Sequence, residues 1–281
     1  MPWTGVLDSD VIKHVQQREK LPRTELCPTS VYDIMMRCWK LDPFTRVAAS
    51  AIEIELRELY GVAKGQVYGE LVWPTLNRSE ISQSNKGGLD VNSIENVNYF
   101  ASVEMPPSQL KVKLQLGHGE FGEVNLGVMT TKDRIEREVA VKTLKAGVSD
   151  DMRSKFRLEA CLLAGLRHQN IVELLAVCFD DPLECFIVLE LMPNGDLQNY
   201  MYSRQDELAN AVNIQGTLYG VLEQLLSAMV FLEKKKVLHR DLAARNALVG
   251  ESGLDCVKLS DLGMSRTLTS SYYIKTSNYR V

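Results

Sequence analysis

The octapeptide HRDLAARN, residues 239–246, constrains this chain more than any other stretch, because it sets Asp241 and Asn246 five positions apart. That spacing suits a carboxylate that orients a hydroxyl and accepts its proton, beside an amide that holds a metal ion. Arg240 is placed to tie the loop to its surroundings. His239 reads as a packed structural histidine, since no second histidine lies near it to complete a metal site. Fifteen residues after Asn246, KLSDLGMSR supplies Asp261, a carboxylate suited to bridging Mg2+ to phosphates.

Upstream, LGHGEFGEV sets Gly117, Gly119 and Gly122 at GxGxxG spacing, with Val124 two residues later. Glycines there let a strand-turn-strand backbone approach a polyphosphate and offer it N–H groups, while Val124 packs on a base. A plain tight hairpin has the same composition. A dinucleotide-binding turn does not fit, because it needs a helix directly after the glycines, whereas EVNLGVM continues as strand. Lys142 ends the apolar strand VAVK, and Glu159 follows in a predicted helix. Taken singly they are a strand-end lysine reaching for water and a surface glutamate. Together with the glycines they form a phosphate-binding lysine held by an acid from the neighbouring helix.

Periodicity divides the chain into three regions. Residues 1–60 are helical in pattern: SVYDIMMRCWKL puts Val31, Ile34, Met35 and Cys38 on one side, with Pro28 and Ser30 as start signals, and a second helix covers residues 46–60. Residues 61–108, rich in Asn, Ser and Gly, read as a linker with one strand at QVYGELVW. Residues 109–281 begin with period-two strands in LKVKLQLGHG, EVNLGVM and EVAVKTLK, then a helix in MRSKFRLEACLLAGL with Phe156, Ala160 and Leu163 on one side. ECFIVLELM is a buried strand. TLYGVLEQLLSAMVFLEKKK is a long helix with a face through Leu218, Leu222, Leu225, Met229 and Leu232, and short strands follow at ALVG and CVKLS. Strands with one helix followed by mostly helix imply an α+β fold of two lobes.

The 281 residues are 45% apolar with a formal net charge of -4, which leaves no basic stripe for nucleic acid. The six cysteines are scattered without a CxxC pair, as expected of free thiols in a reducing compartment. No apolar run is long enough to cross a membrane. These features predict a soluble, cytoplasmic piece, at the cytoplasmic side of the plasma membrane if it belongs to a longer protein.

With LGHGEFGEV, VAVK, Glu159, HRDLAARN and DLG in place, residues 110–281 resemble a protein kinase catalytic domain from its glycine-rich loop into its activation segment. LAARN resembles the tyrosine kinase form, and GMSR with SYYIKTSNY resembles the activation segment of receptor tyrosine kinases. DDPLECFIVLELMPNGDL and the paired Tyr272 and Tyr273 lean toward discoidin-domain or Trk-like receptors. The resemblance implies ATP and Mg2+ as cofactors, a protein tyrosine as substrate, and a second kinase copy as partner for trans-phosphorylation. It implies Asp241, Lys142, Glu159 and Arg245 as the catalytic set and Asn246 and Asp261 as metal ligands. Around the nucleotide it implies Leu116, Gly117, Gly119, Gly122, Val124, Ala140, Lys142 and Leu248, with Leu189 as gatekeeper and Glu190 to Met192 as the hinge that bonds adenine. Tyr272 and Tyr273 would be autophosphorylation sites. Leu262 stands where the family usually has Phe, which keeps an apolar contact with less volume and is expected to alter the bias between active and inactive loop positions.

Residues 1–60 resemble the other end of the same fold. LPRTELCPTSVYDIMMRCWKLDPFTR is similar to the tyrosine kinase C-terminal stretch, with Val47 where Pro is expected. The chain therefore reads as a kinase-like two-lobed fold with a small lobe of antiparallel strands and one helix, and an incomplete large lobe whose tail precedes its front. Arg46 would lose its usual acidic partner, and Val221, Leu225 and Trp39 would face a partly absent core. One history is the junction of tandem kinase domains. The other is a permuted kinase in which residues 30–60 pack on the helix at 217–234. By this reading the parent protein phosphorylates tyrosine, and the chain as it stands binds MgATP without turning over peptide. The alternative is a non-catalytic, pseudokinase-like scaffold.

Overall fold

The computed structural model describes residues 17, 19–24, 27–40, 42, 45–63, 100, 103–118, 122–131, 133–144, 147–179 and 185–267. Gly119, Tyr272, Tyr273 and the strand expected at residues 66–73 lie outside them.

The small lobe is built on five antiparallel strands, β1 (Leu110–His118), β2 (Gly122–Thr130), β3 (Glu136–Leu144), β4 (Leu174–Cys178) and β5 (Phe186–Glu190), in the order β1-β2-β3-β5-β4. Alternation along β3 sorts its side chains. Val139 and Val141 are fully buried with Met105, Met129 and Val188, whereas Ala140 packs in a second cluster with Phe156, Ala160 and Leu163. Those three residues come from α3 (Asp150–Ala164), and all are buried as their spacing predicts. The helix begins where Ser149 Oγ accepts the N–H of Met152, with Asp150 and Asp151 in its first turn, where acidic charge favours the exposed amide dipoles. β4 has no counterpart in the sequence reading. ELLAVC is apolar almost throughout because β4 is covered on both sides, so the alternation that reveals a strand is missing.

In the large lobe, α4 (Leu197–Ser203) and α5 (Gln205–Ala209) lead to α6 (Ile214–Lys234), followed by β6 (Val237–Leu238), β7 (Ala247–Gly250), β8 (Gly253–Leu259) and β9 (Arg266–Thr267). β6 pairs with β9 and β7 with β8. α6 is covered on three sides. Ala228 and Leu232 join the cluster that includes Leu166 and Ile171, and Val221 joins Leu197, Val249 and Val257. Tyr219, Leu226 and Val230 meet Ile34 and Leu56. The last two belong to α1 (Thr29–Cys38) and α2 (Ala49–Ala63), so residues 30–60 do touch the long helix. The single face expected through Leu218, Leu222 and Leu225 is therefore too narrow: Leu222 is exposed, while Tyr219 and Leu226 are buried. A helix enclosed from several directions has no one-sided stripe to read.

Arg46 is exposed and donates from Nε to the carbonyl of Lys40 at 2.7 Å, so it brings no buried charge into the lobe. Val221, expected to face a gap, is 4% exposed. All six cysteines are free, with Cys161 and Cys178 buried and the others half-buried.

Candidate active site

β3 and α3 deliver the first half of the site. Lys142 Nζ lies 2.6 Å from Glu159 Oε1 and 3.7 Å from Asp261 Oδ1. Burial opposes the ammonium charge, but the Glu159 and Asp261 carboxylates outweigh it and hold the Lys142 pKa above its ordinary value. Asp261 stands in the left-handed region at φ 59°, a conformation with a cost for any side chain but glycine, and its Oδ1 accepts the N–H of Gly263. Leu262 next to it is 1% exposed within the cluster of Phe156 and Leu163. A leucine thus fills the contact under α3 while Asp261 faces Lys142.

The loop after β6 supplies the second half. Arg245 NH2 donates to Asp241 Oδ1 at 2.6 Å, and Asn246 Nδ2 donates to Asp241 Oδ2 at 2.7 Å and to the Asp241 carbonyl at 2.8 Å. Both carboxylate oxygens of Asp241 are held. His239 lies beneath, 2% exposed. Its Nε2 is 3.0 Å from the Ser260 carbonyl, and its Nδ1 accepts the Asp241 N–H at 3.3 Å. Those partners require the neutral ring protonated on Nε2. Burial lowers its pKa, against the raising influence of the Ser260 carbonyl, Asp261 and Asp241. The histidine is structural, as expected, and couples the loop to the strand end that carries Asp261. Ser265 Oγ donates to the His239 carbonyl at 3.1 Å, and Arg240 is exposed at φ 72°.

Around the cleft, Leu116 is exposed on β1, and Val124, Ala140 and Leu248 are half-buried on β2, β3 and β7. Leu189 and Met192 are buried. The two described glycines of the loop differ. A Cβ on Gly122 would collide with the Thr143 carbonyl oxygen, whereas one on Gly117 meets nothing within 4 Å. Gly122 is thus required by strand pairing, and Gly117 leaves its space open.

Glu190 directs its side chain away from an adenine role. Lys258 Nζ lies 2.7 Å from Glu190 Oε1 and 2.8 Å from Oε2, and Oε1 also accepts the Glu173 N–H. Its backbone N–H is engaged as well, donating to the Glu173 carbonyl at 3.0 Å. This tie between the lobes, and a second one in which Asn170 Nδ2 donates to the Val257 carbonyl while Gln224 Oε1 accepts the Val257 N–H, escaped the sequence reading. No motif spacing links residues so distant along one chain.

Asp261 and Asn246 present a carboxylate and an amide oxygen, the hard donors that Mg2+ takes one or two at a time beside phosphate oxygens. Among the described residues there is no group of three or more His, Cys, Asp or Glu side chains that could hold a metal alone. The donor set fits a cation shared with a phosphate ligand.

A family model described as protein tyrosine and serine/threonine kinase matches residues 1–56 and 110–281. The chain belongs to that family. The kinase is 42% identical over 171 residues to the tyrosine-protein kinase ABL2 of Homo sapiens, covering 60% of this chain and 13% of that protein. It is 40% identical over 171 residues to the tyrosine-protein kinase transforming protein Abl of Abelson murine leukemia virus, covering 60% of this chain and 21% of that protein. To the tyrosine-protein kinase Fer of Rattus norvegicus it is 41% identical over 159 residues, covering 56% of this chain and 18% of Fer. The kinase thus spans 13% to 21% of the length of these relatives.

The relatives correct one expectation. The receptor type expected from the sequence, leaning toward discoidin-domain or Trk-like receptors, does not hold: the tyrosine kinase domain is ABL2- and Fer-like. No helix among the described residues is long and apolar enough to cross a membrane.

Proposed function

We propose that this kinase transfers the γ-phosphoryl group of ATP to tyrosine hydroxyls in proteins, against the expectation that the chain binds MgATP without turning over peptide, because Val221, expected to face a gap in the large lobe, is buried. The observation that carries the proposal is that Lys142, paired with Glu159, lies 3.7 Å from Asp261, while His239 and Ser260 tie the loop of Asp241, which Arg245 and Asn246 hold, to the strand end that carries Asp261. Lys142 binds the inner phosphates, fixed in position by Glu159. The backbone of Gly117 to Gly122 covers the phosphates, and Leu116, Val124, Ala140, Met192 and Leu248 enclose the base, with the Glu190 backbone as a hinge partner. Asp241 orients the tyrosine hydroxyl. The phenolic oxygen forms the new bond to γ-phosphorus, the bond from γ-phosphorus to the bridging oxygen breaks and leaves with ADP, and the proton passes to the Asp241 carboxylate. Mg2+, held by Asn246 and Asp261, neutralises phosphate charge when bound.

The protein substrate, a second kinase copy for trans-phosphorylation at Tyr272 and Tyr273, and a cytoplasmic site of action belong to the same proposal. The test is phosphate transfer from ATP to a tyrosine polymer and to a matched serine peptide. Tyrosine-selective transfer that Asp241→Asn lowers by about 10²–10⁴-fold supports the assignment. MgATP binding with no transfer would overturn it in favour of a non-catalytic module.

A further inference from the structure

Three aromatic rings run from the chain segment ahead of β1 to the helix that carries Glu159. Phe100 meets Phe179 edge to face with ring centroids 5.2 Å apart, and Phe179 meets Phe156 of α3 in the same way at 6.2 Å. The Arg157 guanidinium lies over the Phe179 ring at 5.0 Å, so two residues of α3 hold that ring. Phe156 and Glu159 stand three positions apart on one side of α3, and each is 1% exposed. Glu159 in turn holds Lys142.

Backbone bonds anchor the outer end of this row. The Phe100 carbonyl accepts the N–H groups of Val103 and Glu104, both at 2.8 Å, which closes a turn. Beyond the turn the Met105 N–H donates to the Val177 carbonyl and the Val177 N–H to the Val103 carbonyl, each at 2.9 Å. The segment is thus laid along β4, and Phe179 follows the last residue of that strand. Phe100 and Phe179 are only half-buried, so the row runs inward from the protein surface. A ring seated there leaves at less cost than one enclosed in the core.

We propose that Phe100 is a positioning residue for the phosphate site: through Phe179 and Phe156 it fixes α3, and so sets Glu159 against Lys142. Lifting the Phe100 ring off Phe179 removes support from the outer side of α3. Glu159 then withdraws, and Lys142 keeps only Asp261, 3.7 Å away. The segment ahead of β1 is thereby a control point on nucleotide binding. This role rests on Lys142 and Glu159 being the phosphate clamp of the proposed function.

MgATP affinity of the 281-residue protein, measured by calorimetry in a double-mutant cycle, tests the role. Phe100→Ala is expected to weaken binding about tenfold, and Phe100→Tyr, which keeps the ring, to leave it unchanged. On a Glu159→Gln background Phe100→Ala should add nothing further, because Phe100 acts only through Glu159. Should Phe100→Ala fail to fold, Phe100→Leu carries the same cycle, since it keeps apolar volume and removes the ring edge. Equal weakening in both backgrounds would reduce Phe100 to a structural residue and overturn the proposal, as would an unchanged affinity. Transfer to a tyrosine polymer is followed alongside. No transfer with the cycle as expected overturns the proposed reaction alone, whereas no MgATP binding by the unaltered protein overturns the phosphate site and the role of Phe100 with it.

Discussion

Lys142 Nζ and Glu159 Oε1 stand 2.6 Å apart, with the Glu159 side chain 1% exposed and that of Lys142 14% exposed. Two buried charges hold each other where neither would be stable alone. Lys142→Met leaves the Glu159 carboxylate buried beneath α3, and removing one partner of such a pair costs about 3–5 kcal/mol. Chemical denaturation is expected to show that loss, and Lys142→Met combined with Glu159→Leu to recover part of it. MgATP affinity should fall in both variants, measured by calorimetry. An unchanged affinity would remove Lys142 from the phosphate site.

Arg245 reaches the catalytic carboxylate from an exposed position, with 59% of its side chain accessible. An exposed pair contributes at most about 1 kcal/mol, so Arg245→Ala is expected to shift the melting temperature little. Asp241 would keep only Asn246 as a side-chain partner, and kcat should fall about tenfold or more while the KM for ATP stays near its original value. Steady-state kinetics on a tyrosine peptide separate the two effects.

The two loop glycines predict opposite failures. Gly122→Ala forces a methyl group into the Thr143 carbonyl between β2 and β3, and should lower stability by about 1–3 kcal/mol through overpacking. Gly117→Ala meets open space and should leave the melting temperature unchanged. Any loss it causes should appear in nucleotide affinity alone. Thermal melts with and without MgATP distinguish them.

His239 gives the fold an acid-sensitive point. Its pKa is lowered from the ordinary 6.5 by burial, so below 6.5 the unfolded chain binds a proton that the folded one refuses. Stability from this group is complete above pH 6.5 and declines as pH falls through the folded pKa. His168 shifts in the same direction, through burial and the neighbouring Lys234. Denaturation midpoints measured between pH 7 and 5 should fall, and His239→Gln should flatten part of that slope. Lys142 acts at the other end: with its pKa raised above 10.5, its contribution is intact at neutral pH and lost only as pH rises through the folded value.

The sequence by itself determined the chemistry of the site, because phosphate handling depends on residues whose spacing is set by local turns and strands. Asp241, Asn246 and Asp261 lie within one short stretch, and the glycine loop with Lys142 falls on consecutive strands, so their pattern survives in one dimension. The strand β3 and the buried side of α3 were legible for the same reason, each having a covered face with a clear period, whereas β1 was legible from its alternation although Val112, Leu114 and Leu116 are exposed. Only the tertiary structure decided the rest. β4 is apolar on both faces and α6 is covered on three sides, which erases the period that reveals an element and its orientation. The Glu190 and Lys258 tie, the Asn170 and Gln224 bridge, and the seat of α1 and α2 on α6 join residues far apart in the chain. Such contacts follow from which surfaces are left to bury once the local elements have formed, and no local spacing records that choice.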